Sequence, residues 1–442
     1  MRLRVLDIFI GQQPVGRLFQ YGEGRNAITR LKPEPAYWSQ PEDRRPVLSL
    51  SALTETEAER EAFWREYAVQ PFFNGEGERL PPFLQNMLPD GPLRRHLAQI
   101  RQCALSDHFE LLAACGTDLP GNVYAMPATL ERWDVADLVT QHNDALEVTV
   151  TAEPVAGATS LSGVQPKLSL VEQGGRYVAR TKGADGLHII AKLPTVEYPL
   201  LPEVEELSLR LAAACGVDVC HAQLAPVGAI DADAPFILRQ ARSFLAVRRF
   251  DRIDGTRHVH AEDFAQVLGL DPDDKYTGAT YGLMARVMLA TPGLGLDAAL
   301  ELVRRLAVNE LLGNYDGHLK NTSVLYPDGH RPQLAPAYDV VAYAAYLPGH
   351  GHALAFHEGA PPRQRLGPAA LRGLCREAGL LQTRAERELR EVVKRASQAW
   401  PALIAASALD AGQRRRLLEH FEGNPVGSRY PAGAARGRTP AA

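Results

Sequence analysis

One segment in the second half of the chain limits the fold more than any other. An apolar helical pattern runs over 301–312 and stops at Gly313, because glycine readily adopts the left-handed conformation found at helix C-termini. A polar loop, 314–321, comes next, and two short β-like runs with a turn between them occupy 322–338. The second run is followed by Asp339. This order predicts a helix, a loop, a β-hairpin and an acid at the end of the hairpin.

Several side chains of this segment have the chemistry that phosphoryl transfer requires. A carboxylate can orient and deprotonate an acceptor hydroxyl, and hard oxygen ligands hold Mg²⁺ on the ATP phosphates. Protein kinases place a catalytic Asp and a metal-binding Asn at the spacing of Asp316 and Asn321, with a metal-binding Asp after a hairpin. We therefore predict Asp316 as the base and Asn321 and Asp339 as Mg²⁺ ligands. His318 or Lys320 would stabilise the charge of the transferred phosphate. A polar loop of turn-forming residues is the structural alternative.

Such a site also needs a lysine for the nucleotide phosphates and an acid that pairs with it. Lys192 lies near the end of the predicted strand 188–193, and the helix that follows opens with Glu203, Glu205 and Glu206. We predict Glu205 as the partner of Lys192. A helix N-terminus favours acids through its dipole, so each of the three also has a purely structural explanation.

A loop of small residues and hydroxyls, 160–167, precedes these elements. Its backbone N–H groups and Lys167 can cradle anions, although the loop has neither a GxGxxG nor a Walker A sequence. A predicted strand over 244–250 is placed to supply backbone groups that bind adenine. The predicted nucleotide contacts are Ser162, Gly163, Val164, Gln165, Lys167, Arg248 and Phe250, in addition to Lys192 and Glu205.

Composition sets broader limits. The 442 residues are too many for one compact core, and 45% hydrophobic with 23% charged residues indicates a globular protein of several domains. A net charge of -4 argues against a protein that coats nucleic acid. We find no apolar run that could span a membrane, no secretory signal and five cysteines without a CxxC pair. These features predict a cytoplasmic protein.

Turn and helix signals give the organisation of the chain. Its predicted parts are a mixed α+β subdomain over 1–140, a strand-rich lobe over 141–250, a helical lobe over 251–422 and a disordered tail over 423–442. In the first part we predict a strand over 3–10, a helix that starts near Thr54 with Glu57 in its capping box, and a helical stretch over 93–112. The glycine pair 174–175 predicts a hairpin in the second part.

Taken together, these segments resemble the HipA family of bacterial toxin–antitoxin kinases, over roughly residues 1 to 420. Glu205 fits the same pattern, and the Leu-Pro-Asp-Gly segment 88–91 is similar to a signature of the family's N-terminal subdomain. The matching motifs are Ser160-x-Ser162-Gly163-x-Gln165-x-Lys167, Ile189-Ile190-x-Lys192, Arg249-Phe250-Asp251-Arg252, Glu262-Asp263-Phe264-x-Gln266, Asn314-x-Asp316-x-His318-x-Lys320-Asn321 and Tyr338-Asp339.

The resemblance implies an α+β, bilobal protein-kinase-like fold, with an extra N-terminal subdomain on a mixed N-lobe and an all-helical C-lobe. It implies ATP and Mg²⁺ as cofactors and a translation-related protein substrate, such as an aminoacyl-tRNA synthetase, whose serine or threonine is phosphorylated to arrest growth. The implied partners are a HipB-like helix-turn-helix antitoxin and, through it, operator DNA. Ser160 matches the serine that the family autophosphorylates to switch itself off, and Ser162 is a second candidate.

The chain departs from the family pattern at two positions. Pro166 stands where family members often have Glu, and Arg248 stands where an acid is common. Neither position belongs to the predicted catalytic or metal-binding groups. Two other functions stay open at this point, a small-molecule phosphotransferase and a non-catalytic co-repressor scaffold. The complete set of catalytic and metal-binding residues argues against the scaffold.

Overall fold

The computed structural model describes residues 2–22, 24–54, 56–128, 147–148, 151–161, 163, 165–180, 186–232, 242–253, 257–349 and 351–429. Of the predicted site residues, Ser162 and Val164 lie outside the described residues. The described part contains an N-terminal sheet with its helices, a second sheet, and a helical region that encloses a third, small sheet.

The first sheet has six strands and confirms the predicted strand over 3–10. That strand pairs antiparallel with the next one across a turn in which Gly11 has a φ of 58°. The strand order is Asn74–Glu76, Ile28–Pro33, Gln13–Tyr21, Arg2–Ile10 and Val123–Pro127, with Glu147–Val148 parallel to Arg2–Ile10. The helices that share its core are Pro35–Trp38, Glu57–Arg65, Pro82–Gln85, Gly91–Arg101 and His108–Ala114. Val155 and Ala158 also pack against this core, so the segment beyond 140 contributes to it.

The helix that we predicted to start near Thr54 begins two residues later. Thr56 is the N-cap, and its hydroxyl accepts a hydrogen bond from the Glu59 N–H while the Glu59 carboxylate accepts one from the Thr56 N–H. The sequence contains Thr-x-x-Glu twice in overlapping positions, as Thr54 to Glu57 and as Thr56 to Glu59. The prediction used the first copy, whereas the second forms the capping box.

The helical stretch that we predicted over 93–112 is two helices. Gln102 ends the first one in the left-handed conformation, with a φ of 51°. Asp107 begins the second one, because its carboxylate accepts a hydrogen bond from the Glu110 N–H. The break turns the second helix into the core beneath the first sheet.

The second sheet carries the predicted lysine strand. Its strand order is Ala222–Pro226, Ser243–Arg248, Leu187–Lys192, Lys167–Gln173, Arg176–Ala179 and Ile230–Asp231. The hairpin at 174–175 is confirmed, with Gln173 opposite Arg176. Lys167 lies directly opposite Lys192 in the antiparallel ladder, so the two side chains leave the same face of the sheet. The helix Leu201–Ala214 packs against the strand Ser243–Arg248.

The C-terminal region is built from helices around one large apolar core. The helices are Phe264–Val267, Tyr281–Ala290, Gly295–Leu312, Pro368–Ala378, Gln382–Ala405, Ala411–Glu422 and Pro425–Arg429. The helix predicted over 301–312 starts earlier but ends as predicted, with Gly313 at a φ of 64°. A sheet of His260–Asp263, Ser323–Tyr326 and Gln333–Leu334 adds strands to the predicted helical lobe, and Arg252–Ile253 pairs with Arg257–His258. No helix among the described residues has the length and apolarity to cross a membrane.

Part of the tail that we predicted to be disordered is ordered. Pro425–Arg429 is a short helix, and Val426 is fully buried. The side-chain amide of Asn424 donates a hydrogen bond to the Glu310 carbonyl, which attaches the segment to the long core helix. Residues 430–442 lie outside the described residues.

A buried ion cluster joins the N-terminal part to the end of the second sheet. Asp118 accepts hydrogen bonds from Arg249 and Arg252 and also forms an ion pair with Arg180. Asp251 accepts from the same two guanidinium groups, at 2.8 Å from Arg249 and 2.9 Å from Arg252. Arg249 and Arg252 keep the pKa of Asp251 well below its usual range, although burial acts in the opposite direction. The cluster fixes the loop after residue 117 against the strand that ends at Arg248.

Glu262 makes a second contact between the N-terminal part and the C-terminal region. Its carboxylate accepts hydrogen bonds from the Ser49 hydroxyl at 2.6 Å, from the Leu50 N–H at 2.9 Å and from the Tyr326 hydroxyl. Burial raises the pKa of Glu262 to about 7, although these hydrogen bonds act in the opposite direction. The Glu-Asp-Phe-x-Gln motif therefore has an interdomain role, since Gln266 also donates to the Phe83 carbonyl at 3.0 Å.

The Glu262→Gln variant should remove a pH dependence of stability. A pKa raised in the folded state means that the folded protein binds more protons than the unfolded chain between pH 4.5 and about 7. The contribution of Glu262 to the free energy of unfolding is therefore present at low pH and is lost as the pH rises through about 7. Urea unfolding of both proteins across this range should show the wild type losing stability relative to the variant. Parallel profiles would contradict the shifted pKa.

Candidate active site

Lys192 and Glu205, which are buried, form an ion cluster with the half-buried Asp339 between the second sheet and the helical region. The Lys192 Nζ lies 2.5 Å from the Glu205 Oε1 and also donates to the Asp339 Oδ1. The predicted pairing of Lys192 with Glu205 is confirmed; of the other two acids, Glu203 accepts a hydrogen bond from Ser243, and Glu206 faces Arg210 on its own helix. The structure shows why the partner is Glu205, because this residue is one turn into the helix Leu201–Ala214 and faces the sheet.

Lys192 and Asp339 stabilise each other's charge, whereas burial raises the pKa of Glu205. Burial disfavours the charge on Lys192, but Asp339 and Glu205 outweigh it and raise the pKa of Lys192 above its usual value. Burial likewise opposes the charge on Asp339, yet Lys192 and Lys167 lower the pKa of Asp339 to about 2. Asp339 also has a φ of 53°, a left-handed conformation that costs energy outside glycine and that often marks a functional position. The Asp339 carboxylate is therefore ionised, and the backbone of this residue is strained.

The loop over 314–321 brings the predicted base and metal ligand together. The Asn321 Nδ2 donates to the Asp316 carbonyl at 2.8 Å, and the Asp316 N–H donates to the Asn314 Oδ1 at 3.3 Å. The Asp316 carboxylate accepts a hydrogen bond from the Tyr276 hydroxyl at 2.7 Å. Sequence reasoning missed Tyr276 because it lies forty positions earlier and no local pattern connects it to the loop.

His318 and Lys320, both predicted to stabilise phosphate charge, have different surroundings. The Lys320 Nζ donates to the Asn86 carbonyl at 2.7 Å and lies 3.4 Å from an Asp263 oxygen. These contacts give Lys320 an anchoring role toward the N-terminal part, which the sequence analysis did not foresee. The His318 Nδ1 is buried without a hydrogen-bond partner, and burial lowers the pKa of His318, so the imidazole is neutral at neutral pH.

The loop over 160–167 is held by the N-terminal part. The Ser160 hydroxyl donates to the Met87 carbonyl, and the Ser160 N–H donates to the Asp118 carbonyl at 3.1 Å. Asp90 makes two more contacts, since its N–H donates to the Leu161 carbonyl at 3.4 Å and its carboxylate accepts from the Gly163 N–H at 3.3 Å. Sequence analysis had noted the Leu-Pro-Asp-Gly segment only as a signature, without this contact.

Two further contacts hold the other end of this loop near the two lysines. Gly163 has a φ of 99°, which residues with a side chain rarely adopt, and its missing Cβ lets the Lys167 Nζ come close to the backbone. Burial lowers the pKa of Lys167. The Gln165 side-chain amide donates to the Leu193 carbonyl at 2.9 Å, which ties the loop to the end of the lysine strand.

Two adjoining cavities meet at the charged cluster. The inner cavity is lined by apolar side chains that include Ile190, Val247 and Phe250, whereas the outer cleft, of about 670 Å³, is lined by polar groups that include Asp316 and Asn321. The residues that line both cavities are Lys167, Lys192, Lys320 and Asp339. We call the boundary between the cavities, with its three lysines, the cationic junction. The apolar inner cavity suits a flat base, the cationic junction suits the phosphates of a nucleotide, and the Asp316 carboxylate in the outer cleft suits an acceptor group.

Some of the backbone groups that we predicted to bind adenine already form hydrogen bonds with neighbouring backbone groups. The Arg248 N–H donates to the His221 carbonyl at 2.8 Å, and the Arg249 N–H donates to the His188 carbonyl at 2.9 Å. These two N–H groups are therefore not available to a base. The Arg248 carbonyl and the Phe250 N–H are the candidates that remain, and the Phe250 ring packs on Tyr338 with centroids 5.5 Å apart.

The oxygen ligands fit Mg²⁺ better than a transition metal. Asn321 and Asp339 both line the outer cleft next to the cationic junction. Over the described ranges, no group of three or more His, Cys, Asp or Glu side chains is arranged to hold a metal. Mg²⁺ is commonly held by one or two protein oxygens together with substrate phosphates, so an Asp and an Asn are a sufficient protein contribution.

Comparison with known proteins gives a consistent result across the chain. The HipA N-terminal domain model matches residues 6–126, and the HipA-like C-terminal domain model matches residues 159–400. The chain is 34% identical over 409 residues to the putative kinase Y4dM of Sinorhizobium fredii (strain NBRC 101917 / NGR234), covering 91% of this chain and 92% of that protein. It is 25% identical over 299 residues to the serine/threonine-protein kinase toxin HipA of Shewanella oneidensis, covering 62% and 65% respectively.

The fold has a solved counterpart. A chain in the complex of Shewanella oneidensis HipA, HipB and operator DNA superimposes with a TM-score of 0.65 at 19% identity, over 97% of this chain and 100% of that chain. At this identity the likeness concerns the fold alone. It confirms the predicted α+β, kinase-like fold class.

Proposed function

The chain belongs to the HipA family, and from that premise we propose that it is an ATP- and Mg²⁺-dependent serine/threonine protein kinase that acts as the toxin of a toxin–antitoxin pair. The observation that carries the proposal is the junction of the two cavities, where Lys192 pairs with both Glu205 and Asp339. Asp316 and Asn321 face the outer cleft beside it. Each group that phosphoryl transfer requires is then within one continuous space.

The inner cavity would bind adenine between apolar side chains, with the Arg248 carbonyl and the Phe250 N–H at the edge of the base. Lys192 and Lys167 would bind the phosphates, because both ammonium groups lie at the junction of the cavities. Asn321 and Asp339 would hold Mg²⁺, which neutralises phosphate charge when bound. Lys192 would exchange its contact with Asp339 for the nucleotide phosphates while it keeps Glu205.

Asp316 would act on the acceptor. Its carboxylate accepts the proton of a serine or threonine hydroxyl as that oxygen forms a bond to the γ-phosphorus and the bond between the γ-phosphorus and the β–γ bridging oxygen breaks. The products are a phosphoserine or phosphothreonine and ADP, with the proton on Asp316. His318, neutral and buried near Asp316 and Asp339, can donate one hydrogen bond without adding charge.

The proposed partners follow from the family. The matching chain of known structure comes from a complex of HipA, HipB and operator DNA. We propose a HipB-like helix-turn-helix antitoxin for this chain, with operator DNA contacted through it and a cytoplasmic location. The proposed substrate is a translation-related protein, such as an aminoacyl-tRNA synthetase.

The proposal is tested by comparing the phosphoproteomes of cells that express the wild type or the Asp316→Asn variant. We expect phosphoserine or phosphothreonine sites that depend on the wild type, including one on a protein of translation. Equal phosphoproteomes, with both proteins folded and expressed at the same level, would overturn the proposal. Wild-type-dependent phosphate on a small molecule in place of a protein would support the small-molecule phosphotransferase.

Self-modification would require the loop over 160–167 to leave its position. Ser160 is 1% exposed and its hydroxyl is bound to the Met87 carbonyl, so it cannot serve as an acceptor where it stands. A phosphate on Ser160 adds a charge of about -1.5 to -2. Because returning this charge to the buried position is unfavourable, the phosphorylated loop would stay released. We therefore propose that release of the loop precedes the reaction that switches the kinase off.

The Asp90→Ala variant should accelerate self-modification. It removes the carboxylate that accepts the Gly163 N–H, and a lost hydrogen bond of this kind favours the released loop by roughly 2- to 10-fold. The rate of phosphate gain by intact mass, with ATP and Mg²⁺, measures the effect. Asp107→Ala is the matched control, because Asp107 caps a helix of the same subdomain and binds Arg4. An unchanged or lower rate for Asp90→Ala would contradict the loop-release step.

A further inference from the structure

The segment that follows residue 271 holds the loop around Asp316 at three points. The Leu319 N–H donates to the Lys275 carbonyl at 3.2 Å, and the Tyr276 hydroxyl donates to the Asp316 Oδ1 at 2.7 Å. The Tyr276 ring also meets the His318 imidazole edge to face, with centroids 5.0 Å apart. The position of the Tyr276 phenol is therefore fixed by the backbone hydrogen bond at Lys275 and by the ring contact with His318.

Tyr276 binds the side chain of Asp316, whereas other residues that contact this loop bind its backbone. The Tyr281 hydroxyl binds the Gly317 carbonyl at 2.8 Å, and the Asn321 amide binds the Asp316 carbonyl, so both fix the backbone. Within the part of the chain that the structure describes, Tyr276 is the donor that reaches the Asp316 carboxylate itself. Burial, together with Asp316, raises the pKa of Tyr276, which keeps the phenol protonated and able to donate at physiological pH.

We propose that Tyr276 is a positioning residue for phosphoryl transfer, which occupies one oxygen of the Asp316 carboxylate and turns the other toward the acceptor hydroxyl in the outer cleft. The inference rests on the proposed role of Asp316 as the base. A carboxylate on a loop can rotate about its side-chain bonds, and a hydrogen bond to one oxygen selects a single orientation. Both Tyr276 and Asp316 line the outer cleft, where the acceptor must bind.

This role predicts a change in how the enzyme partitions phosphate between two acceptors. Water is small and can approach Asp316 from several directions, whereas a protein hydroxyl has a position set by docking and depends on one orientation of the carboxylate. Loss of the Tyr276 hydroxyl should therefore slow transfer to protein more than hydrolysis of ATP. The ratio of the two does not depend on the fraction of molecules that are folded, so a merely structural role would leave it unchanged.

The test compares Tyr276→Phe with the wild type, using ATP and Mg²⁺ and measuring protein-bound phosphate and released inorganic phosphate together. We expect the ratio of transfer to hydrolysis to fall by at least about threefold, the equivalent of one hydrogen bond. Tyr326→Phe is the matched control, since it removes a phenol that donates to the buried Glu262 at the domain interface. Tyr326→Phe should lower the melting temperature and leave the ratio unchanged.

A double-variant cycle checks that Tyr276 acts through Asp316. In the Asp316→Asn background, Tyr276→Phe should cause no further change in the ratio, because the carboxylate that it positions is gone. An unchanged ratio for Tyr276→Phe, or the same effect in both backgrounds, would overturn this inference alone. Absence of transfer by the wild type would overturn the proposed function and this inference with it.

Discussion

The Asp316→Asn variant should lower the rate of phosphoryl transfer by about 10²- to 10⁴-fold, the usual effect of losing a general base. Asparagine keeps the size of the side chain and can still accept a hydrogen bond from Tyr276, but it cannot take the acceptor proton. Asp316 lies on a loop that borders the outer cleft, and the partner of its carboxylate is the neutral Tyr276 hydroxyl, so the change should cost little stability. Single-turnover transfer of labelled phosphate measures the effect, and the melting temperature should change little.

Asp328→Asn is a matched control for this prediction. Asp328 lies in the hairpin turn of the same region, where its carboxylate accepts from the His330 and Arg331 N–H groups, away from the cleft. The control should transfer phosphate at the wild-type rate. A wild-type rate for Asp316→Asn itself would show that Asp316 is not the base.

The Asp118→Asn variant should lower the free energy of unfolding by about 3–5 kcal/mol, as expected when one partner of a buried ion pair is removed. Asp118 is 2% exposed and faces Arg180, Arg249 and Arg252. Its neutralisation leaves the buried guanidinium groups of Arg249 and Arg252 and the partly buried one of Arg180 with Asp251 as the remaining carboxylate in the cluster. The unfolding midpoint in urea, followed by circular dichroism, measures the loss.

Asp231→Asn is the matched control, because it removes a salt bridge that is exposed to solvent. Its partner Arg176 and Asp231 itself are both exposed, so this variant should lose no more than about 1 kcal/mol. Equal losses for the two variants would contradict the buried cluster.

Local sequence patterns were sufficient for the elements that carry the site. The lysine strand, the helix that presents Glu205 and the hairpin before Asp339 depend on periodicity and turn residues within short windows, and the structure has each of them. The pairing of Lys192 with an acid of the following helix was predictable because phosphoryl transfer in kinases uses such a pair, although local pattern alone does not separate Glu205 from Glu203 and Glu206. The capping box at Thr56 shows the limit of such patterns, since two overlapping copies fit equally well.

Contacts across long separations were not predictable from the residues alone. Asp90 reaches Gly163 and Asn86 binds Lys320 only because the subdomains pack together, and Tyr276 meets Asp316 through packing within the helical region. Each of these residues looks like an ordinary polar position in its own segment. Lys320 is the clearest case, because its place in the catalytic motif indicated a phosphate contact while its ammonium group turns to the N-terminal part.

The most direct test of the account is transfer of the γ-phosphate of labelled ATP by the purified wild-type chain with Mg²⁺. The account predicts labelled phosphoserine or phosphothreonine on protein, with the label lost in Asp339→Asn, whose carboxylate contacts Lys192 at the junction of the cavities. A folded wild type that binds ATP yet labels no serine or threonine would contradict the central claim, as would equal labelling by Asp339→Asn.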